Sequence, residues 1–366
     1  MMIKKNTSMY KDTQYFKNKK IIITGHTGFK GSWLALWLNS LGANVLGLSK
    51  NVPTKPSHFK TLNLEKRIKS KKINLIDLNK LKKIIYNFKP DYIFHLAAQS
   101  IVKKSYVETK ETWESNLIST INLLETLKKI KKKTTVIIIT SDKVYKNIET
   151  KKGYKETDRL GGLDPYGASK SATEIAIQSY INSFFYNKKD YVRICTARAG
   201  NVIGGGDWSP DRLIPDCMRS WSKNKVVKIR NPKSTRPWQH VLEVIFGYLN
   251  LAINLNLNKK LHGQSFNFGP KNQNYKVSEV LLEIKKIWPA IKWQYEKKKN
   301  FKENQLLNLN SQKAKKILKW QQTMSFKDQI KMLVEWHQFY NKNKKYTIAK
   351  SIEQINVYRN LVFKKK

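Results

Sequence analysis

The stretch Ile21–Leu38 reads IIITGHTGFKGSWLALWL and decides the fold of the chain. Three isoleucines run into a glycine-rich turn and then into a mostly apolar segment, which predicts a strand, a turn and a helix. Gly25, Gly28 and Gly31 suit three separate needs: a tight turn, close approach of backbone to a pyrophosphate, and close helix packing. The helix N-terminus would direct free N–H groups and a positive dipole at that pyrophosphate. The stretch therefore predicts a dinucleotide site; a glycine-rich turn without a ligand is the alternative.

The chain is strongly basic, because 71 Lys and Arg residues outnumber 26 Asp and Glu residues, giving a net charge of +45 over 366 residues. Only nine of the basic residues are Arg, and the Lys residues are spread along the whole chain. Aromatic residues do not interleave with them in the way of a nucleic-acid module. We therefore interpret the charge as solvated surface and expect no nucleic-acid partner.

The cellular compartment is predicted from two features of the sequence. It contains no run of about 18 apolar residues and no charged-then-apolar leader at its start. Its two cysteines, Cys195 and Cys217, fit neither a metal-binding spacing nor a disulfide framework. We expect a cytoplasmic protein in a reducing compartment, with no metal and no membrane partner.

Strand and helix patterns alternate after the opening stretch. This alternation predicts an α/β protein with a Rossmann-like, doubly wound parallel sheet. We expect an NAD-binding Rossmann domain over residues 18–203. Glycines and prolines then interrupt shorter elements, which predicts a smaller C-terminal α/β substrate-binding region over residues 204–345, with elements near 238–255 packing back on the Rossmann domain. Residues 1–17 and 346–366 are predicted to be polar and basic tails.

Two strand ends bear on the cofactor. The second predicted strand is followed by Ser49 and Lys50, where a chain that uses NAD usually carries Asp or Glu for the ribose hydroxyl. The local sequence therefore leaves NAD and NADP open. The fourth predicted strand ends in the small residues Ala97 and Ala98, followed by Gln99, and small residues here let a cofactor lie close to the backbone.

The fifth predicted strand carries the first candidate for chemistry. Ser141 follows this strand, and Tyr166 and Lys170 come 25 and 29 residues later. A Tyr and a Lys four residues apart share one face of a helix. A protonated Lys170 would lower the pKa of the neighbouring phenol, and Ser141 would hydrogen-bond the same substrate oxygen. The pattern predicts Tyr166 as a base; a surface pair without a ligand is the alternative.

Arginine is scarce enough for its positions to be informative. Arg198, Arg212, Arg230 and Arg236 fall within one short segment of a chain that otherwise uses Lys. The guanidinium is a rigid fork that contacts phosphate at two points, which an ammonium cannot do. The segment favours a phosphate-bearing substrate over the alternative of scattered structural arginines.

Four stretches carry a resemblance to known proteins. They are Thr24–Leu34 (TGHTGFKGSWL), Thr140–Lys143 (TSDK), Ala199–Trp208 (AGNVIGGGDW) and Arg230–His240 (RNPKSTRPWQH). With Ser141, Tyr166 and Lys170 in place, the chain resembles the extended short-chain dehydrogenases/reductases that act on nucleotide sugars. Within them it is similar to the CDP-glucose 4,6-dehydratases over about residues 18–345.

The resemblance implies a redox-neutral dehydration of CDP-glucose on bound NAD. Tyr166 would take the proton of the glucose O4 hydroxyl while hydride passes from C4 to NAD, and the 4-ketone would then acidify the C5 hydrogen. Water would leave from C5 and C6, and the hydride would return to C6, giving CDP-4-keto-6-deoxyglucose for surface glycans. Asp142 would protonate the departing C6 hydroxyl. Lys143 would be either the C5 base or a group that stabilises the enolate.

The remaining site residues are also implied by the resemblance. The residues expected at the cofactor are Gly25, Thr27, Gly28, Phe29, Lys30, Gly31, Ala97, Ala98, Gln99, Tyr166 and Lys170. The residues expected at the nucleotide diphosphate of the substrate are Asn201, Arg212, Arg230, Arg236 and His240. The family also implies a homodimer, or a tetramer of paired dimers, through the predicted helices near 109–129 and 166–185.

Other functions remain open on the sequence alone. Another nucleotide-sugar dehydratase or a 4-epimerase would use the same scaffold, although Asp142 has a clear use only in elimination. A basic NAD-binding or nucleic-acid-binding scaffold without catalysis is the third hypothesis, and the complete set Ser141, Tyr166 and Lys170 argues against it.

Overall fold

The computed structural model describes residues 15–150, 152–188, 190–271, 275–296 and 307–364. Its strands are β1 Lys20–Thr24, β2 Asn44–Ser49, β3 Lys69–Lys72, β4 Tyr92–His95, β5 Thr134–Ile139, β6 Val192–Ala199, β7 Val202–Ile203, β8 Val227–Ile229, β9 Thr235–Arg236, β10 Gln239–His240, β11 Ser265–Phe268, β12 Tyr275–Lys276 and β13 Trp293–Tyr295. Seven of them form one sheet in the order β11-β6-β5-β4-β1-β2-β3, and all neighbouring pairs are parallel. The predicted doubly wound parallel sheet is confirmed.

The helices lie on both faces of this sheet. They are α1 Phe29–Ser40, α2 His58–Thr61, α3 Leu78–Phe88, α4 Val102–Val107, α5 Thr109–Trp113, α6 Ser119–Leu127, α7 Pro165–Tyr180, α8 Leu213–Trp221, α9 Val241–Leu257, α10 Val277–Ile287, α11 Gln312–Leu318, α12 Phe326–Lys342 and α13 Thr347–Lys364. A π-helical turn over Glu114–Ile118 joins α5 to α6, and another over Ile181–Phe185 extends α7. Helices α1, α9 and α13 share a core on one face, and α3, α6 and α7 share a core on the other.

The central strands are apolar because both of their faces are covered. Every residue of β5 and β6 is buried, as expected of strands inside a parallel sheet. The edge strand β3 (KSKK) is exposed throughout, and charged side chains at an edge discourage pairing with another chain.

The strand order reverses between β1 and β4, which pair with each other although they are far apart in the chain. Ligands of open α/β sheets bind in the crevice beyond the carboxyl ends of the strands at such a switch point. The glycine-rich turn follows β1, Ala97 follows β4, and Ser141 follows β5. The topology therefore brings the predicted cofactor and catalytic stretches to one edge of the sheet.

A separate core lies in the C-terminal part of the chain. Helices α8, α10 and α12 surround it together with β8 and β13, which pair in parallel. Two elements after residue 204, one of them within the stretch near 238–255 that is predicted to pack back, also join the main sheet and its core. Strand β11 pairs with β6 at the edge of the main sheet, and α9 packs against β5, β6 and α1. Both elements belong to the Rossmann layer because their apolar side chains join its core.

The structure contradicts the tail predicted at residues 346–366. Helix α13 packs on the main core through buried Ile355 and Tyr358, and the Tyr358 hydroxyl donates a hydrogen bond to Glu243 Oε2 at 2.8 Å. These apolar residues recur on one face of an otherwise polar helix, so the helix is held by tertiary packing. Residues 1–14 of the other predicted tail lie outside the described residues, and Phe16 is fully buried.

Candidate active site

The glycine-rich turn after β1 is built as its spacing predicts. Gly25 has φ +72°, and a Cβ there would lie 2.8 Å from the backbone nitrogen of Ala97, just after the neighbouring strand β4. A Cβ on Gly31 would collide with the carbonyl of Gly25. Gly28 differs, because its Cβ would meet only the Gly25 carbonyl, at 3.4 Å. Two glycines are therefore required by packing, and the third keeps the outer face of the turn open.

Helix α1 begins directly at this open face. Its N-cap is Gly28 in an extended conformation, and no side chain caps the first turn. The N–H groups at a helix N-terminus favour an anion through hydrogen bonds and the helix dipole. Lys30 lies in the same turn and adds a partly buried positive charge. The turn fits the diphosphate of a dinucleotide.

The strand end after β4 is small and tightly held. The backbone N–H of Ala97 donates to Thr24 Oγ1 at 3.1 Å. The side-chain amide of Gln99 donates to Thr112 Oγ1 at 3.0 Å, and its backbone N–H donates to Asn116 Oδ1 at 2.9 Å. Gln99 is therefore held in place after the end of β4, and the small side chains of Ala97 and Ala98 leave space beside it for a cofactor.

At the end of β2, Ser49 and Lys50 stand where a Rossmann site for NAD usually has a carboxylate, and Lys50 Nζ forms an ion pair with Glu111 at 2.9 Å. Ser49 Oγ is 2.9 Å from His26 Nδ1, and His26 Nε2 is 2.7 Å from Ser70 Oγ. Burial lowers the pKa of His26 to about 4, so the ring is neutral at physiological pH. The Thr27 hydroxyl donates to the Asn51 carbonyl at 2.6 Å and fixes the loop after β2.

The predicted catalytic residues Ser141, Asp142 and Tyr166 come together at the end of β5. Asp164 caps α7 by accepting a hydrogen bond from the Gly167 N–H at 2.9 Å, which places Tyr166 in the first helical turn. The Ser141 hydroxyl donates to Asp142 Oδ1 at 2.9 Å and is also hydrogen-bonded to the Tyr166 phenol. The Ser141 hydroxyl therefore lies between the carboxyl group of Asp142 and the phenol of Tyr166.

Burial governs the protonation of this group. Burial raises the pKa of Tyr166 to about 12, although its hydrogen bond to Ser141 acts in the opposite direction. Burial also raises the pKa of Asp142, against the lowering effects of Lys143, Ser141 and Lys30. Removal of water disfavours the charged form of both groups. Asp142 therefore keeps its proton to a higher pH than an ordinary aspartate, which suits an acid.

Lys170 lies buried at the end of β5. Its ammonium donates to the Ile139 carbonyl at 3.4 Å, at the end of β5. Burial lowers its pKa to about 7, and the charge of Lys30 lowers it further. The pKa of Tyr166 is raised rather than lowered because desolvation of the phenol outweighs the lowering effects of Ser141 and Arg212.

The two remaining lysines of the site have separate partners. Lys143 Nζ lies 3.7 Å from Asp164 Oδ2, and about a third of its side chain is exposed. Burial and the charge of Arg212 lower the pKa of Lys30 to about 8, against the opposing effects of Asp142 and Asp207. Lys30, predicted at the cofactor, therefore also faces the carboxyl groups of the catalytic side.

Of the residues predicted at the substrate, Arg212 lies at the catalytic group. Its Nη1 is 3.3 Å from Asp207 Oδ2, and its Nη2 is 3.4 Å from the carbonyl and hydroxyl oxygens of Ser100. Its charge lowers the pKa of Tyr166 and of Lys30. Arg212 thus connects the segment after β7 to the segment after β4.

The other predicted substrate residues are more dispersed. Asn201 is exposed between β6 and β7, Arg230 is exposed after β8, and Arg236 is half-buried with its Nη1 donating to the Thr235 carbonyl at 2.8 Å. His240 is fully buried and caps α9, accepting from the Leu242 N–H at 3.3 Å. The imidazole of His240 is therefore not exposed for the predicted contact with a substrate.

Arg198 is a core residue, in contrast to the phosphate contact that its position in the sequence favours. Its guanidinium forms an ion pair with Glu174 at 2.9 Å and donates to the Tyr145 hydroxyl and the Glu156 carbonyl. Only 4% of the side chain is exposed. The alternative of a structural arginine is correct at this position.

Asp207 is a further residue of the site that was not predicted from the sequence. It is buried, pairs with Arg212 and influences Lys30. The available signal was its place after three glycines in Ala199–Trp208.

Within the described part of the chain, no cluster of His, Cys, Asp and Glu could hold a metal ion. Among the helices of those same residues, none is long and apolar enough to span a membrane.

Fold and site together define an enzyme of the short-chain dehydrogenase/reductase type. The chain matches the GDP-mannose 4,6 dehydratase family over residues 22–333 and belongs to that family. It is 40% identical over 332 residues to CDP-glucose 4,6-dehydratase of Salmonella typhimurium, covering 89% of this chain and 92% of the relative. It is 29% identical over 286 residues to dTDP-D-glucose 4,6-dehydratase of Dictyostelium discoideum, covering 73% and 62% of the two chains.

Solved structures share the architecture. An epimerase from Methanothermobacter thermautotrophicus superposes with a TM-score of 0.78 over 93% of this chain and 97% of the other, at 20% identity. A dTDP-glucose 4,6-dehydratase from Bacillus anthracis, solved in complex with NAD, gives a TM-score of 0.71 at 20% identity over 89% and 97% of the two chains. At this level of identity the similarity establishes the fold.

Proposed function

We propose that this protein converts CDP-glucose to CDP-4-keto-6-deoxyglucose and water on a bound NAD. The observation that carries the proposal is the buried Asp142, whose pKa is raised by burial and which accepts a hydrogen bond from Ser141 beside Tyr166. An epimerase needs a base for C4 oxidation but no acid for a leaving hydroxyl. The 40% identity to a CDP-glucose 4,6-dehydratase supports the same reaction.

The cofactor residues fit a dinucleotide. The uncapped first turn of α1 and the open face at Gly28 would receive the diphosphate, and Ala97 and Ala98 leave space at the end of β4. When bound, the nicotinamide supplies hydride acceptance and donation. Lys170, buried behind Tyr166, would hold the cofactor ribose in orientation.

Oxidation at C4 requires removal of the hydroxyl proton. Tyr166 is the proposed base, and its hydrogen bond to Ser141 fixes the phenol oxygen at the end of β5. Ser141 would contact the same sugar oxygen and stabilise the developing negative charge. Because burial holds the Tyr166 pKa near 12, proton transfer needs a substrate and cofactor that favour the phenolate.

Elimination requires an acid at the C6 hydroxyl and a group at C5. Asp142 is the proposed acid, since its buried carboxyl retains a proton to higher pH than an exposed one. Lys143 follows Asp142 and lies beside the first turn of α7 through Asp164. We assign Lys143 to C5, where it either takes the proton or stabilises the enolate.

The substrate panel that tests the function contains CDP-, dTDP-, UDP- and GDP-glucose together with GDP-mannose. Purified protein supplemented with NAD is incubated with each, and products are identified by mass spectrometry. We expect loss of one water from CDP-glucose with the highest kcat/KM. A product of unchanged mass would indicate an epimerase, and loss of water from another sugar nucleotide would assign a different substrate.

We also propose an oligomeric state and a cellular compartment for the protein. Exposed apolar side chains lie along the predicted interface helices at Ile118, Ile175 and Phe184, and such patches mark interaction surfaces. We propose a homodimer through this surface, acting in the cytoplasm. Ile175→Lys should convert the dimer to monomer in analytical ultracentrifugation, whereas Leu257→Lys, at an exposed position on α9, should not.

A further inference from the structure

The loop between β7 and α8 is tightly packed against neighbouring side chains at its three glycines, Gly204–Gly206. A side chain on Gly205 would collide with the ring of Trp336, and one on Gly206, at φ +82°, would collide with the ring of His58. The Gly205 carbonyl also accepts a hydrogen bond from Trp33 Nε1 at 2.8 Å. The backbone before Asp207 therefore has little freedom to move.

The residue after Asp207 is anchored as well. The ring of Trp208 packs against Tyr340 and Trp336, with centroids 5.0 and 5.6 Å away. Asp207 itself is buried, and its Oδ1 accepts a hydrogen bond from the Ser209 N–H at 3.0 Å. Its second oxygen, Oδ2, is thereby directed to Arg212 Nη1 at 3.3 Å.

Arg212 extends from this anchor toward the catalytic group. It reaches Ser100, just beyond the strand end that carries Ala97 and Ala98, and its charge acts on Tyr166 and Lys30. About a third of its side chain is exposed, whereas Asp207 is 5% exposed. The guanidinium is therefore held by Asp207 at Nη1, makes only long contacts of 3.4 Å to Ser100 at Nη2, and is partly open to solvent.

We propose that Asp207 is a positioning residue that acts through Arg212, holding its guanidinium in the orientation in which it contacts the diphosphate of the nucleotide sugar. This inference rests on the proposed function. A long flexible side chain loses rotamer freedom when it binds, so a carboxylate that orients it in advance increases affinity. The planar guanidinium retains further N–H groups for phosphate oxygens after one contacts Asp207.

The charges of the surroundings support the same role. Lys30 and Arg212 are two cations whose mutual repulsion lowers the Lys30 pKa, and Asp207 is one of two carboxyl groups that oppose this effect. Without the Asp207 charge, Arg212 would be free to turn toward solvent, where it is better hydrated.

The test variant is Asp207→Asn, which keeps size and removes the charge. We expect the KM for the nucleotide sugar to rise about 10- to 100-fold, as for loss of a charge-assisted hydrogen bond, with kcat within about twofold. A merely structural role would instead lower the fraction of active enzyme, reducing kcat at unchanged KM. Asp207→Glu should restore part of the affinity.

The matched control is Asp211→Asn in the same loop. Asp211 is paired with exposed Lys103 at 2.9 Å, and its φ of 58° is a conformation that Asn tolerates. This control loses the same charge four residues away and should keep its KM within about twofold, since exposed ion pairs contribute little.

A double-mutant cycle with Arg212→Ala decides whether Asp207 acts through Arg212. We expect the double variant to be no worse than Arg212→Ala alone, because the carboxylate has nothing left to orient. Additive effects, or an unchanged KM in Asp207→Asn, would overturn the inference. If wild type turns over none of the sugar nucleotides, the proposed function fails, and the cycle is repeated on the affinity for CDP by calorimetry; no binding, or binding insensitive to Asp207→Asn, would then overturn the inference.

Discussion

Helix α7 carries two charged clusters on one face, and they differ in how completely their groups are hydrogen-bonded. Tyr166, Lys170 and Glu174 are spaced by four residues, so they align along the helix. All three are buried. The first two lie at the cleft, and Glu174 lies deeper, against β5 and β6.

The deep cluster is fully paired. Both Glu174 oxygens accept from Arg198, at 2.9 and 3.0 Å, and further bonds come from Thr140 at 2.6 Å and Thr196 at 3.0 Å. Arg198 in turn donates to the Tyr145 hydroxyl at 2.8 Å. The pKa of Glu174 is held below its usual range by Arg198 and these hydroxyls, in spite of the burial that would raise it.

The cleft cluster is paired more sparsely. Lys170 makes a long hydrogen bond of 3.4 Å to the Ile139 carbonyl, and the pKa values of Lys170 and Tyr166 are shifted toward their neutral forms by burial. Equal burial therefore has different consequences in the two clusters. It is compatible with a stable fold where every polar group has hydrogen-bond partners. Where partners are few, it leaves groups whose protonation a substrate can change.

The largest expected effect is a loss of turnover that is confined to substitutions in the cleft cluster. Tyr166→Phe removes the proposed base, so turnover should fall by about 10²–10⁴ while NAD affinity stays nearly unchanged. The matched control is Tyr145→Phe, which removes a hydroxyl from the deep cluster. It should lower the free energy of unfolding by about 1–3 kcal/mol and leave kcat within about twofold. Wild-type turnover in the Tyr166 variant would refute the assignment.

Asp142→Asn tests the acid at the cleft. The substitution preserves size and most hydrogen bonding but cannot donate a carboxyl proton, so product formation should fall by about 10²–10³. Oxidation at C4 should persist, and single-turnover absorbance of NADH should rise and stay high. Mass spectrometry should detect a 4-keto sugar that keeps its C6 hydroxyl. If the variant instead loses formation of NADH, Asp142 belongs to the oxidation step.

Glu174→Gln tests the deep cluster by stability. The variant leaves the Arg198 guanidinium buried without a counter-charge, which should lower the free energy of unfolding by about 3–5 kcal/mol in urea titration. Glu353→Gln removes a carboxylate that is 57% exposed and whose partner Lys350 keeps a second ion pair with Glu335, so it should cost no more than about 0.5 kcal/mol. Equal losses of unfolding free energy in the two variants would show that the complete hydrogen bonding of Glu174 stabilises the protein no more than a surface ion pair does.

The smallest expected effect is a pH dependence of stability at Lys170. Burial lowers its pKa from 10.5 to about 7, so the cost of a buried ammonium is fully present below pH 7 and fades as the pH rises toward 10.5. Lys170→Met should therefore raise the free energy of unfolding by about 2–4 kcal/mol near pH 6, and the gain should shrink toward pH 9. Urea titrations without added NAD measure it. A gain that is constant over this range would contradict the burial of a charged Lys170.

Local patterns in the sequence were sufficient for much of the fold and part of the site. The alternation of apolar runs and helical patterns specifies a parallel sheet, and the glycine spacing specifies the turn at its switch point, because both are properties of consecutive residues. Ser141 and Tyr166 were predicted as site residues because a strand end and a helix start each leave a local signature, whereas Asp142 was predicted only through the resemblance to a family. Helix α13 was missed because its stability depends on packing against distant α1 and α9.

The sequence by itself determined the sheet and the glycine-rich turn after β1, and it predicted the candidate reacting groups. The tertiary structure alone decided what each charge does. Arg198 and Arg212 look alike in the sequence, yet one is enclosed by Glu174 and the other opens to the cleft beside Asp207. Tyr166 and Lys170 have the predicted spacing, but desolvation sets their pKa values. The physical reason is that burial and pairing depend on elements far apart in the chain, whereas spacing depends on neighbours.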